Sequence, residues 1–164
     1  MLILNSFLPS PIFSKLSEFL KAEAHWSFSG RSLDDDSESF WFADLSHTFA
    51  PAEIQAALNR HGVAVEKIHA VYANGQSRAQ SGGFHVDAKV PGIQTCLIYC
   101  NDEWKEQWGG ATLFITPDSN PCDGCFITPE PNKAVIFDGR LRHKGCAPDS
   151  SYTGLRKTVA FKFS

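Results

Sequence analysis

GFHVDAKVPGIQTCLIYC, residues 83–100, holds two strand-like runs and the Pro91-Gly92 pair that separates them. The second run, IQTCLIYC over 93–100, is rich in β-branched and aromatic residues, as a strand with little solvent on either face requires. The first, GFHVD over 83–87, carries His85 and Asp87 two residues apart. Strand side chains alternate, so this spacing puts the imidazole and the carboxylate on one face. His143 lies in a later strand-like run, 142–146. Two imidazoles and one carboxylate that converge fill one face of an octahedral metal site and leave the opposite positions open.

Working outward, the same signature repeats over the C-terminal two-thirds of the chain. Further strand candidates are 67–73, 111–116, 125–128, 133–137 and 155–163, with turn signals at Asn74-Gly75, Pro117-Asp118 and Asp138-Gly139. Upstream the periodicity is helical. Residues 11–24 place Ile12, Phe13, Leu16, Phe19 and Leu20 on one face, with Ser10 as the expected cap and Pro11 at the first position. Residues 51–61 form a second expected helix, opened by Pro51 and closed before Gly62. Between them Ser32 to Ser39 read as an acidic solvated loop. The expected architecture is mainly β, a jelly roll carrying supporting N-terminal helices. A single domain spans 1–164, with helices and loop over 1–62 and the jelly-roll core over 63–164.

Composition narrows the function classes. The chain has 164 residues and a net charge of −3, so a general nucleic-acid binder is not expected. No apolar run reaches the length of a membrane span, and the N-terminus has neither a basic segment nor a long apolar one, which reads as a cytoplasmic protein without a secretion signal. Cys96, Cys100, Cys122, Cys125 and Cys146 are odd in number, which favours free thiols. Cys122 and Cys125 have CxxC spacing, yet no second pair accompanies them at zinc-ligand distance, and they read as a tight loop. Arg140, Arg142 and Lys144 form the one local basic cluster around His143. His25, His47, His61 and His69 lack any comparable arrangement.

From Lys67 to Ser164 the order of residues resembles the double-stranded β-helix core of 2-oxoglutarate- and Fe(II)-dependent oxygenases, most closely the prolyl 4-hydroxylase-like branch. The matching positions are Tyr72, His85 and Asp87, Tyr99 to Asn101, Trp104 with Gly109-Gly110, His143 and Arg156. The resemblance implies His85, Asp87 and His143 as catalytic iron ligands. It further implies 2-oxoglutarate as cosubstrate with O₂, and ascorbate as an auxiliary reductant. Arg156 offers a planar fork for the distal carboxylate of 2-oxoglutarate, and Lys157 points to the opposite face of its strand. Tyr99 is positioned like the family tyrosine that bonds the same carboxylate. Tyr72 and Thr158 are further candidates for the cosubstrate pocket.

The expected activity is hydroxylation of a C–H bond, with a proline in a peptide or protein as the favoured substrate and succinate and CO₂ as products. A free amino acid or other small metabolite is the alternative, and a cupin-like metal-binding domain is the alternative of another class. Lys162, late on the final strand, departs from relatives that carry an aromatic there. The segment Asn74 to Gly83 is expected to fold beside the metal. Oligomeric state has no signature in the sequence.

Overall fold

The computed structural model describes residues 1–31, 39–115 and 124–164. The expected acidic loop, the Pro117-Asp118 turn and Cys122 therefore lie outside the described residues. In chain order the elements are β1 (Leu2–Leu4), α1 (Ser10–Ala22), β2 (Ser27–Gly30), β3 (Phe40–Asp44), α2 (Ala50–Arg60), β4 (Ile68–Gln76), β5 (Gln94–Tyr99), β6 (Thr112–Ile115), β7 (Cys125–Ile127), β8 (Ala134–Asp138), β9 (Arg142–Gly145) and β10 (Arg156–Phe163). Seven strands form a major antiparallel sheet in the order β1-β8-β5-β10-β4-β3-β2, and three form a minor sheet in the order β7-β6-β9.

Both faces of the major sheet are covered, which is why its central strands are apolar at consecutive positions. Along β5, Cys96 and Ile98 belong to one buried cluster and Leu97 and Tyr99 to another. The first cluster is the helix side: Leu16 and Leu20 of α1 and Ile54, Ala57 and Leu58 of α2 pack over Val71, Ala73, Val159 and Phe161. The second is the jelly-roll interior, where Leu97, Tyr99, Val135, Phe137 and Ala160 meet Phe114 and Ile127 of the minor sheet. Parity along β10 follows suit. Register pairs Arg156, Thr158, Ala160 and Lys162 with Gln76, Asn74, Tyr72 and Ala70 of β4. Alternation puts these two rows on the interior face.

Three features depart from the sequence reading. The segment 1–62 is more than helices and a loop, because β1 caps one edge of the major sheet while β2 and β3 extend the other. β1 is only three residues long and β2 is largely exposed, so neither shows an apolar alternation. Residues 83–87 do not form a continuous strand. Only His85 pairs, in an isolated antiparallel bridge with His143. Helix starts shift by one residue: α1 begins at Ser10 with Pro9 as its cap residue, and α2 begins at Ala50 after Phe49.

Candidate active site

Two main-chain hydrogen bonds bring the histidines together: His85 N–H donates to His143 O (3.0 Å) and His143 N–H to His85 O (2.9 Å). The rings then lie with centroids 4.4 Å apart. His85 Nδ1 is 2.9 Å from Gly83 O and His143 Nδ1 is 2.8 Å from Leu141 O. A carbonyl can only accept, so each Nδ1 carries the proton and each Nε2 keeps its lone pair for a metal. Those Nε2 atoms are 3.8 Å (His85) and 3.6 Å (His143) from the Asp87 carboxylate oxygens. The three ligand atoms all fall within 4.8 Å of one another, the geometry of a site able to hold a divalent ion.

The surroundings set the protonation the site needs. Burial pushes the His143 imidazole below its ordinary value and outweighs the pull of Asp87 in the other direction, so the neutral, ligating form is favoured. Burial alone would raise the Asp87 carboxyl, but His143, Lys162 and Thr95 together hold it below the usual range. Thr95 Oγ1 donates to Asp87 Oδ2 at 2.7 Å, and Lys162 Nζ lies 2.8 Å from Oδ1. Phe114 and Phe137 wall the His143 ring at 5.6 and 4.8 Å.

Beneath the triad an inner cavity runs to Arg156, lined among others by Tyr72, Asn74, Gln76, Thr112 and Thr158. The guanidinium is buried and donates to three neutral acceptors: Gly110 O, Gln76 Oε1 (2.8 Å) and Thr112 Oγ1 (2.8 Å). Among the described residues no carboxylate pairs with it. Burial accordingly presses its pKa downward, the mark of a cation short of a counter-ion. Gly110 sits at φ +70°, and a Cβ there would come within 2.9 Å of the Trp104 ring and 3.1 Å of Arg156 Cδ. The Gly109-Gly110 pair thus lets the main chain approach the guanidinium closely.

An outer cavity opens on the other side of the triad. Its walls are Ser29, Gly30 and Arg31 at the end of β2, Phe40 and Phe42 of β3, and Tyr72, Asn74 and Lys162, with His85 and Asp87 at its floor. The strands that the sequence did not reveal therefore supply half of the wall.

Of the residues anticipated from sequence, His85, Asp87, His143, Arg156, Tyr72 and Thr158 all line the inner cavity. Tyr99 does not line it. Its hydroxyl donates to Thr112 Oγ1 at 2.8 Å, with Ile127 O at 3.3 Å, so it buttresses a residue that contacts Arg156 rather than facing the cavity. Lys157, on the opposite face, lines a surface groove with Leu20 and Lys21 of α1. Arg140 pairs with Asp138, and Arg142 and Lys144 lie over Phe84, so the basic cluster is a rim. His69 is exposed and contacts Ser164. The segment after β4 is tied down by Gln76 Nε2, which donates to Gln80 O and Gly145 O. Sequence reasoning missed Gln76, Thr112 and Thr95, whose polar side chains fall on inward parity. It also missed that Lys162 reaches Asp87.

A sequence profile described as the 2OG-Fe(II) oxygenase superfamily matches residues 69–163. Among curated proteins none matches the chain. Solved structures do. A Trichoplax adhaerens prolyl hydroxylase, in complex with a hypoxia inducible factor oxygen degradation domain peptide fragment, aligns with a TM-score of 0.75 at 14% identity, over 99% of this chain and 82% of that one. A Pseudomonas putida prolyl-4-hydroxylase aligns with a TM-score of 0.70 at 14% identity, over 99% and 91%. A Burkholderia pseudomallei oxidoreductase of the 2OG-Fe(II) oxygenase family aligns with a TM-score of 0.72 at 13% identity, over 99% and 84%. At these identities the likeness is one of fold, a jelly roll as expected. No described helix is long and apolar enough to cross a membrane.

Proposed function

The chain belongs to the 2OG-Fe(II) oxygenase superfamily, and on that premise we propose that it hydroxylates a proline in an extended peptide, with His85, Asp87 and His143 holding Fe(II) and Arg156 anchoring 2-oxoglutarate. It is a 2-oxoglutarate-dependent dioxygenase, and Fe(II), 2-oxoglutarate and O₂ are what its family requires. The cupin-like alternative gives way to this membership. The observation that carries the residue assignment is Arg156: a buried guanidinium that no carboxylate pairs with among the described residues shares one cavity with a ready-made His-Asp-His cluster. A buried cation in that state calls for an anion.

The donor set fits Fe(II), because imidazole and carboxylate ligands suit it and the facial arrangement leaves positions open. When bound, Fe(II) lets O₂ oxidise both 2-oxoglutarate, which leaves as succinate and CO₂, and a substrate C–H bond, which becomes C–OH. The chain's own work is placement. Backbone carbonyls of Gly83 and Leu141 fix the imidazole tautomers, and Thr95 orients Asp87. Arg156, itself held by Gln76 and Thr112, offers its remaining N–H groups to the distal carboxylate. Leu97 and Ala160 keep the inner cavity partly apolar.

Two observations support a peptide. The outer cavity beside His85 and Asp87 is walled by residues of β2 and β3, and one structural neighbour was solved with a peptide bound. A proline-rich chain is already extended and loses little entropy on docking. A second reading, a small carboxylate-bearing metabolite, draws on Lys162 at the triad. The test is anaerobic 2-oxoglutarate binding to Mn(II)-loaded protein, then turnover with Fe(II), O₂ and ascorbate against proline peptides and free amino acids. Mass spectrometry should find one added oxygen on a peptidyl proline. Hydroxylation of a free metabolite with every peptide untouched replaces the peptide by the small molecule.

A further inference from the structure

We propose that Lys162 determines substrate specificity, and that the outer cavity takes a substrate carrying a carboxylate close to the C–H bond that is oxidised. This rests on the hydroxylase reading above and names the chemistry of its substrate.

Placement comes first. Arg156 and Lys162 stand at opposite ends of one inward row on β10, Arg156-Thr158-Ala160-Lys162. Six residue steps of strand separate them, about 20 Å. The inner cavity reaches Arg156 and the outer one Lys162, and the two share His85 and Asp87. One cation therefore terminates the cosubstrate side and the other faces the substrate side. The Lys162 side chain is only 16% exposed, and its ammonium lies 2.8 Å from Asp87 Oδ1 and 5.4 Å from the Tyr72 ring centroid.

Charge matching then gives Lys162 a task. Without metal, Asp87 balances Lys162, and Arg156 is left over. In the loaded site the two charges of the ion, those of 2-oxoglutarate, Asp87 and Arg156 cancel among themselves. The charge left unmatched among the largely buried groups is that of Lys162, Arg31 on the same cavity wall being exposed to solvent. A carboxylate that shares its charge with a divalent ion holds an ammonium less tightly, and a largely buried ammonium without a counter-ion is unfavourable. An anionic group on the substrate removes that imbalance.

A second group in the same cavity points the same way. Asn74 Oδ1 is the only buried side-chain oxygen or nitrogen among the described residues that lacks a hydrogen-bond partner, and Asn74 lines both cavities. A lone buried acceptor fits an N–H donor on the bound molecule. With Phe40, Phe42 and Tyr72 as apolar wall, the pocket suits an acidic amino-acid unit, either an acidic residue beside the target in a peptide or the free carboxylate of an N-acylated amino acid.

Matched pairs, each a carboxylate against its neutral methyl ester, test this without adding an N–H donor. Anaerobic calorimetry on protein loaded with Mn(II) and 2-oxoglutarate would compare N-acetylproline with its methyl ester. It would also compare a capped Ala-Pro-Asp-Ala peptide with its aspartate β-methyl ester. In at least one pair the acid should bind the wild type about 10- to 100-fold more tightly, and the pair that shows it identifies the source of the carboxylate. Lys162→Met should erase the preference and Lys162→Arg should keep it, each compared at Mn(II) and 2-oxoglutarate concentrations that saturate that variant. Equal binding within both pairs, or a preference that survives Lys162→Met, overturns the proposal, the first outcome without recourse to any variant. Loss of 2-oxoglutarate binding by the wild type itself would instead overturn the hydroxylase reading.

Discussion

Replacing Arg156 by Met separates the anchor of the cosubstrate from the stability of the barrel, because the two effects have opposite signs. The side chain is 2% exposed and its three polar contacts are all to neutral groups. In the metal-free protein, Met removes a buried charge that no carboxylate among the described residues offsets, at the cost of leaving Gln76 Oε1 and Gly110 O without their Arg156 donors. Thr112 keeps its bond from Tyr99. The melting temperature should therefore stay level or rise, since exchanging a buried ion for an apolar side chain is often neutral or stabilising. With 2-oxoglutarate the balance reverses. Its distal carboxylate would enter a buried cavity with no charged partner, a loss of about 3–5 kcal/mol. At 1.36 kcal/mol per tenfold, that is about 100- to 5,000-fold in Kd. Calorimetric titration of 2-oxoglutarate into Mn(II)-loaded protein measures it directly. Arg156→Lys should fall between, having charge without the fork. Lys157→Met, altered on the helix-facing side of the sheet, should bind as the wild type does. A Kd within threefold of wild type in Arg156→Met would refute the anchor assignment.

Tyr99→Phe removes the hydroxyl shared between Thr112 Oγ1 and Ile127 O, so 2-oxoglutarate affinity should drop less than about tenfold, corresponding to one neutral hydrogen bond of about 0.5–1.5 kcal/mol; a loss as large as that of Arg156→Met would mean the hydroxyl touches the ligand. Cys96 and Cys100 should resist an aromatic disulfide reagent in the native protein, because both are fully buried and burial raises their thiols, Cys100 to about 12. All five cysteines should react once it is denatured without reductant, and a shortfall there would reveal a disulfide. For His143 the folded pKa is depressed mainly by burial, so between the ordinary value of about 6.5 and that lower value the unfolded chain binds the extra proton. Stability of the chelated, metal-free protein should therefore fall as pH drops below about 6.5. His143→Asn should show a shallower fall in urea titrations, and an identical slope would contradict a neutral buried imidazole.

The cluster of His85, Asp87 and His143 was legible in the order of residues along the chain, although 83–87 is not a continuous strand and it is the His85–His143 bridge that brings the two histidines together. Arg156 and Tyr72 followed from the family order of residues, and Thr158 from its place two residues past Arg156 on one strand face. Tyr99 too has inward parity, yet its ring is long enough to carry the hydroxyl past the cavity to Thr112, a distance set by the minor sheet and not by β5. Lys162 was visible as an odd residue near the substrate side. Its contact with Asp87 depends on how far the 83–87 segment leans toward β10, which no spacing encodes. β2 and β3 were hidden for another reason. β2 is a short edge strand and β3 a short strand between it and β4, the two flank the acidic stretch, and β3, read FWFAD, has apolar residues on both faces because Phe40 and Phe42 line the outer cavity.

The reciprocal backbone pair between His85 and His143 has a kinetic corollary. A bridge closed by two main-chain bonds holds its Cα atoms about 5.5 Å apart with or without an ion, so two of the three donors are assembled before metal arrives. Loading should then be a capture event limited by dehydration of the ion, unlike zinc fingers, where coordination and folding are one process. Amide hydrogens of these two histidines would exchange slowly with deuterium even in chelated protein. The oxygenase could cycle between loaded and empty states without unfolding.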